Sequence, residues 1–178
     1  MNIPYNVAAR NDFEVLVADD DPGVRDLLAD YLGEQGLRVA STADGRAAVT
    51  ALERSSGGCR LVFTDIAMPG ADGFAVLTAA RLANPSTYVV MITGYGSLET
   101  AVQAVRLGAQ DYLAKPFSLG QVDVVLRQAT ARQELEVERR TRTDKAMLNS
   151  VAAIEARLSA IETGLRQLTA FLNPTARS

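Results

Sequence analysis

Three nearly continuous apolar runs constrain the first 133 residues more than any other feature: Glu14–Ala18 (EVLVA), Leu61–Thr64 (LVFT) and Tyr88–Ile92 (YVVMI). They are rich in β-branched residues and do not alternate with polar ones, which is the pattern of strands buried on both faces. Arg38–Ser41 and Asp111–Leu113 are shorter, weaker strand candidates. Between these runs apolar residues recur at helical spacing: Val24, Leu27, Leu28, Tyr31 and Leu32; Ala47, Ala48, Ala51 and Leu52; Phe74, Leu77 and Ala80; Leu98, Ala101, Val102 and Val105. Gly33, Gly57 and Gly108 stand where helix stops are expected. Five strand–helix repeats imply a parallel sheet covered by helices on both faces, and right-handed crossovers leave few topologies.

Composition narrows the chemistry by what is missing. No histidine occurs among the 178 residues, which excludes histidine acid–base catalysis, histidine-ligated zinc and a phosphohistidine relay within this chain. The single cysteine, Cys59, excludes an internal disulfide and fits a reducing compartment. At 48% apolar and 22% charged, the chain has enough for a core and too little charge for global disorder. A net charge of −3 argues against a nucleic-acid-binding surface. Residues 1–12 carry no signal-peptide core, and no stretch of about 18 apolar residues occurs, so a cytoplasmic protein without membrane insertion is expected.

In a doubly wound sheet, ligands bind beyond the carboxyl ends of the strands. The residues that follow the strands are Asp19, Asp20 and Asp21, then Asp65, Thr93 and Lys115. Clustered carboxylates repel one another unless a cation compensates them. Hard oxygen ligands without His or Cys suit Mg2+, with Mn2+ as a substitute. A lysine and a hydroxyl nearby can hold phosphoryl oxygens, and an Asp carboxylate can itself attack phosphorus to give an acyl phosphate.

The stretches VLVADDDPGVRDLL, VFTDIAMPGADGFAVL, VVMITGYGSLETAV and GAQDYLAKPF resemble, in order and spacing, the signatures of response-regulator receiver domains of two-component signalling. The resemblance runs from Phe13 to Ala131, and its last stretches are most similar to receivers of the NtrC type. It implies a flavodoxin/CheY-like fold, a five-stranded parallel doubly wound sheet in order 2-1-3-4-5, here followed by a long helical extension. It also implies that Asp65 is the phosphoacceptor, and that Asp19, Asp20, Asp65 and the backbone carbonyl of Ala67 hold Mg2+. Lys115 and Thr93 would stabilise the phosphoryl group, Thr93 and Tyr112 would act as the switch pair, and the Lys115–Pro116 bond would be cis. Ala67 and Tyr95 occupy the positions that tune phosphoryl lifetime. Because Ala67 cannot hydrogen-bond an attacking water and Tyr95 can shield it, slow hydrolysis is expected. A sensor histidine kinase or phosphotransfer protein would be the donor, and the domain would catalyse only its own phosphoryl transfer and slow dephosphorylation.

Simpler roles apply nearby. Asp21 before Pro22 reads as a helix N-cap, Asp72–Gly73 as turn chemistry, and Cys59 as an inert strand-edge thiol. The apolar residues of the helix around Leu98 and Ala101 read as core in the first instance.

After Leu119 the strands stop and the chain reads as helix to Leu172. The expected organisation is a leader at 1–12, the receiver at 13–133, a helical linker or break at 134–146, a coiled-coil helix at 147–172 and a frayed end at 173–178. The coil rests on a heptad seam of Met147, Val151, Ile154, Leu158, Ile161, Leu165, Leu168 and Leu172, apolar at every a and d position. Upstream in the same frame Asp144, Arg140 and Gln133 fall on core positions, so Thr143 or Asp144 could cap a new helix. Parallel self-association, a bundle of hairpins and packing on the chain's own body all bury such a seam. The chain contains no GxxxxGK[ST] loop, and one helix does not make a helix-turn-helix, so direct DNA binding is not expected. The reading is a phosphorylation switch acting on tail assembly or on a downstream protein. The alternatives are a phosphorylation-independent coiled-coil adaptor and the receiver of a longer DNA-binding regulator. An Asp-nucleophile phosphohydrolase is disfavoured because Ile66–Ala67, not the DxDx[TV] pattern, follows Asp65.

Overall fold

The computed structural model describes residues 13–55, 57–94 and 98–172, with Leu98 and residues 170–172 described by backbone alone. Strands β1 (Val15–Ala18), β2 (Val39–Thr42), β3 (Leu61–Asp65), β4 (Tyr88–Thr93) and β5 (Asp111–Ala114) alternate with helices α1 (Pro22–Glu34), α2 (Gly45–Arg54), α3 (Gly73–Ala83) and α4 (Leu98–Arg106). The long helix α5 (Leu119–Leu172) ends the described chain. The strands form one parallel sheet in order β2-β1-β3-β4-β5, the flavodoxin and CheY-like arrangement.

Helices on both faces explain the continuous apolar runs. Val15, Val17, Phe63, Val90 and Ile92 point to one side, where they meet Leu28 and Leu32 of α1 and Val122 and Val125 of α5. Leu16, Ala18, Val62, Val89 and Met91 point to the other, against Leu52 of α2 and Val76 and Leu77 of α3. Each fully buried Val, Leu or Ile contributes about 1.5–3 kcal/mol. In β1 both parities are buried, so neither face can be polar.

Three aspartates start helices. Asp21, Asp44 and Asp72 accept backbone N–H groups of Gly23, Ala47 and Ala75 at 2.8, 2.8 and 2.9 Å. The expected stop at Gly33 lies inside α1, and the chain turns instead at Gly36, whose φ of 82° is the left-handed conformation that a glycine adopts without steric penalty. On α4 the buried residue is Ala104, whereas Val102 and Val105 are exposed. The Lys115–Pro116 peptide is cis.

The chain divides into two units between Ala131 and Arg132. In the second unit there is no break at 134–146, because α5 is one helix of 54 residues. Thr143 caps nothing. Its hydroxyl donates to the Arg139 carbonyl, as that of Thr141 does to Val137, so both side chains are spent inside the helix. Arg142 pairs with Glu138 at 3.6 Å, and no Gly or Pro interrupts 121–163. A hairpin within the tail is therefore excluded. The seam residues Met147 to Leu168 are all exposed, from 47% at Val151 to 69% at Met147, and the side chain of Leu172 falls outside the described ones. The leader at 1–12 and the end at 173–178 also lie outside the described residues.

Candidate functional site

The carboxyl ends of β1, β3 and β5 bring four of the expected residues together. Asp19 follows β1 and is buried, Asp20 beside it is exposed, and Asp65 closes β3 at 7% exposure. One carboxylate oxygen from each lies within 4.8 Å of the others, the only such His/Cys/Asp/Glu group of three or more among the described residues. Lys115, one residue beyond β5, reaches into this cluster. Its Nζ donates to Asp65 Oδ2 at 2.6 Å and to Asp19 Oδ1 at 3.0 Å. The same ammonium lies 2.8 Å from Asp19 Oδ2 without hydrogen-bond alignment, so that buried oxygen accepts no hydrogen bond.

Burial pushes the Asp19 carboxyl above its ordinary range, and the hydrogen bonds from Lys115 and the Asp21 N–H pull it back only in part. For Lys115, burial works against the charge, but its hydrogen bonds to Asp19 and Asp65 outweigh it and the net shift is upward. The lysine is thus held charged while the carboxylates crowd around it. Three hard oxygen donors, one buried oxygen left without a hydrogen bond, and no nitrogen or sulfur ligand fit a small divalent cation.

The surrounding backbone is fixed as tightly as the side chains. The Ala67 N–H donates to Asp65 Oδ1 at 3.1 Å, which puts the backbone of Ala67 at the acceptor. Thr93 ends β4 buried, and the Lys115 N–H donates to its carbonyl at 2.7 Å, joining the two strand ends. Tyr112 sits in β5 opposite Met91, and its hydroxyl is buried without a partner among the described residues. An unsatisfied buried hydroxyl costs about 1–3 kcal/mol. Tyr95 lies outside the described residues.

Two contributors escaped the sequence reading. Arg25 donates from Nη1 to the Asp19 carbonyl at 2.9 Å, tying α1 to the turn that carries the acidic pair. Its only sequence signal was a cation six residues after Asp19, on the helix that starts at the site. Gly73, read as turn chemistry, is also a packing requirement. A Cβ there would stand 2.3 Å from the Asp65 carbonyl, so the start of α3 rests directly on the acceptor's backbone. Cys59, expected as an inert strand-edge thiol, is buried, and burial pushes its thiol up to about 12.

A doubly wound parallel sheet with an acidic cluster and a lysine at its carboxyl edge defines a class, and comparison with known proteins gives the same one. Residues 15–127 match the response regulator receiver domain family. The nitrogen assimilation regulatory protein NtrX of Azorhizobium caulinodans is 37% identical over 120 residues, covering 65% of this chain and 26% of that protein. The C4-dicarboxylate transport transcriptional regulatory protein DctD of Pseudomonas aeruginosa is 39% identical over 128 residues, or 72% and 27%. The crystal structure of the receiver domain of NtrX from Brucella abortus superposes with a TM-score of 0.59 at 38% identity, covering 65% of this chain and 97% of that one. The chain belongs to the response-regulator receiver family, close to the NtrC-type regulators. It spans only about a quarter of the length of those two full-length relatives.

Receivers of this family are phosphorylated by histidine kinases and bind Mg2+ at an acidic pocket, which here is the Asp19, Asp20 and Asp65 cluster. No helix among the described residues is long and apolar enough to cross a membrane.

Proposed function

We propose that this chain is a cytoplasmic phosphorylation switch in which Asp65 accepts a phosphoryl group from the phosphohistidine of a partner kinase. The observation that carries the reading is Lys115 Nζ bridging Asp65 and Asp19 at 2.6 and 3.0 Å inside a three-carboxylate cluster. An Asp65 carboxylate oxygen attacks phosphorus, the P–N bond to imidazole breaks, and an acyl phosphate forms. Asp19, Asp20, Asp65 and the Ala67 carbonyl would hold Mg2+, or Mn2+ in its place, which neutralises charge on the transferring group. Lys115, already charged and aimed at Asp65 Oδ2, exchanges its carboxylate contact for a phosphoryl oxygen. Thr93 follows that oxygen. Tyr112, whose buried hydroxyl lacks a partner, then gains one, which biases a two-state equilibrium. Water attack on the acyl phosphate returns Asp65, slowly because Ala67 offers no polar side chain to orient the water.

The readout is tail assembly or capture of a downstream protein, supported by the exposed apolar seam of α5. Incubation with acetyl phosphate and Mg2+ should add one phosphoryl group, seen by intact mass, with a change in oligomeric mass. The Asp65→Ala variant should show neither. A wild-type chain that takes up no phosphoryl group rejects the reading. A second reading draws on the similarity to DctD, a transcriptional regulatory protein: the same switch would then govern transcription. It is distinguished by an Asp65-dependent change in the affinity of a transcription component, with tail assembly unchanged.

A further inference from the structure

The seam of α5 is a row of aliphatic side chains that nothing covers among the described residues. We infer that it is covered by the same seam of further copies of this chain, parallel and in register, in a bundle of more than two strands. This rests on the self-association proposed above and specifies its geometry.

The continuity of α5 comes first. The helix is unbroken from Leu119 to Leu172, so each copy offers one strand and not a folded-back pair. The seam repeats at alternating steps of four and three, and it is therefore complementary to itself.

The flanking charges choose the direction. In this frame Arg157 stands at g, and Glu155 and Glu162 stand at e. Parallel strands in register bring each g position against the following e of the neighbour, so Arg157 meets Glu162. Antiparallel strands bring e against e and g against g. Glu155 would then face Glu162, while the g row of Ser150, Arg157 and Gly164 offers the arginine no acid. Opposite charges meet only in the parallel alignment.

Side-chain shape sets the number of strands. Two-stranded parallel coils favour β-branched residues at a and leucine at d, whereas leucine at a with isoleucine at d fits larger bundles. The two central heptads have the second arrangement, with Leu158 and Leu165 at a and Ile154 and Ile161 at d. Leu148, an exposed aliphatic at e, widens the apolar face beyond the a and d rows, as more than one neighbour requires.

The test uses the full chain with single spin labels on the outward f row, at Asn149→Cys and, separately, Thr163→Cys. Cys59 is buried with its thiol held protonated and does not compete for label. A parallel bundle in register gives the same set of label-to-label distances at both positions. In an antiparallel pairing at least one position has an axial offset of about 21 Å or more, from the helical rise of about 1.5 Å per residue. Distance distributions that differ between the two positions therefore overturn the parallel geometry.

Sedimentation equilibrium of the unsubstituted chain should give a mass of three or more copies, and a dimer overturns the strand number. A monomer at tens of micromolar overturns self-association itself, while the phosphoryl adduct on Asp65 is measured independently of it. Arg157→Glu should weaken assembly roughly fivefold or more, since several like-charged pairs replace attractive ones. Adding Glu162→Arg to it should restore assembly, and a double variant as weak as the single one contradicts the pairing.

Discussion

The receiver body and the tail use the same aliphatic residues to opposite ends. Leu28, Leu32, Leu52 and Leu77 are fully buried in the body, each facing a sheet that the same stretch of chain supplies. Leu158, Leu165 and Leu168 in α5 stay 56–59% exposed. The body closes its own account: its sheet is covered on both faces, three of its helices begin on aspartate caps, and its buried carboxylates share one lysine. The tail repeats every seven residues, a pattern that another helix of matching period can cover. Stability in the body is thus a property of one chain, while the self-association proposed for the tail would make its stability depend on concentration.

The comparison breaks first at the core. Leu77→Ala should lower the unfolding free energy of the body by about 3 kcal/mol at any protein concentration, measured by urea denaturation. Leu158→Ala should leave the body's transition in place and move only a concentration-dependent transition of the tail. A concentration-independent loss from Leu158→Ala would mean that the seam is not covered by other copies.

Cys59 gives the next largest effect, and it belongs to the body alone. Its thiol is raised from 9.0 to about 12, so the folded chain holds that proton more tightly than the unfolded chain does. The stability tied to this proton is full below pH 9 and is lost as pH rises through the folded value. The loss reaches roughly 2 kcal/mol by pH 10.5. Cys59→Ala should flatten that part of the pH–stability curve, and an unchanged slope would show that the thiol does not titrate this way.

Asp19 sharpens the contrast at the site. Burial raises its carboxyl, so its contribution to stability is present below the ordinary pKa of 3.8 and fades as pH rises through the raised folded value. Burial of the ionised group works against folding at neutral pH, so Asp19→Asn should raise the stability of the metal-free body at pH 7 and raise it less as pH falls, measured by urea denaturation. The same variant should lose the Mg2+-dependent gain in melting temperature. At the small end, Arg142→Ala removes an exposed pair with Glu138 in the tail and should change stability by less than about 0.5 kcal/mol.

The strands and the rim residues were legible in the sequence because buried parallel strands leave unmixed apolar runs and the site residues sit at their ends. The strand order followed only from the resemblance to receiver domains, since apolar runs do not say which strands pair. Arg25 was not legible, because a guanidinium on a backbone carbonyl leaves no pattern in the chain. Gly73 read as a turn because the closeness of α3 to the acceptor's backbone is a tertiary fact. The stop of α1 was misplaced by three residues, from Gly33 to Gly36, because a glycine inside the last turn is tolerated when the next one takes the left-handed conformation. Val102 and Val105 showed a helical period without revealing which side of it faces the core. The charged stretch 138–145 looked like a break because polar residues interrupt the seam. A helix needs only its own backbone and local pairs to continue, whereas a seam needs a partner.

The most direct test of the switch is to find where the phosphoryl group goes. The 178-residue chain treated with acetyl phosphate and Mg2+ is reduced with borohydride, which converts an acyl phosphate to a homoserine, and its peptides are sequenced by mass spectrometry. Homoserine at position 65 and nowhere else is the expected result. Modification at Asp19, at Asp20 or at no aspartate would contradict the assignment of Asp65 as the acceptor.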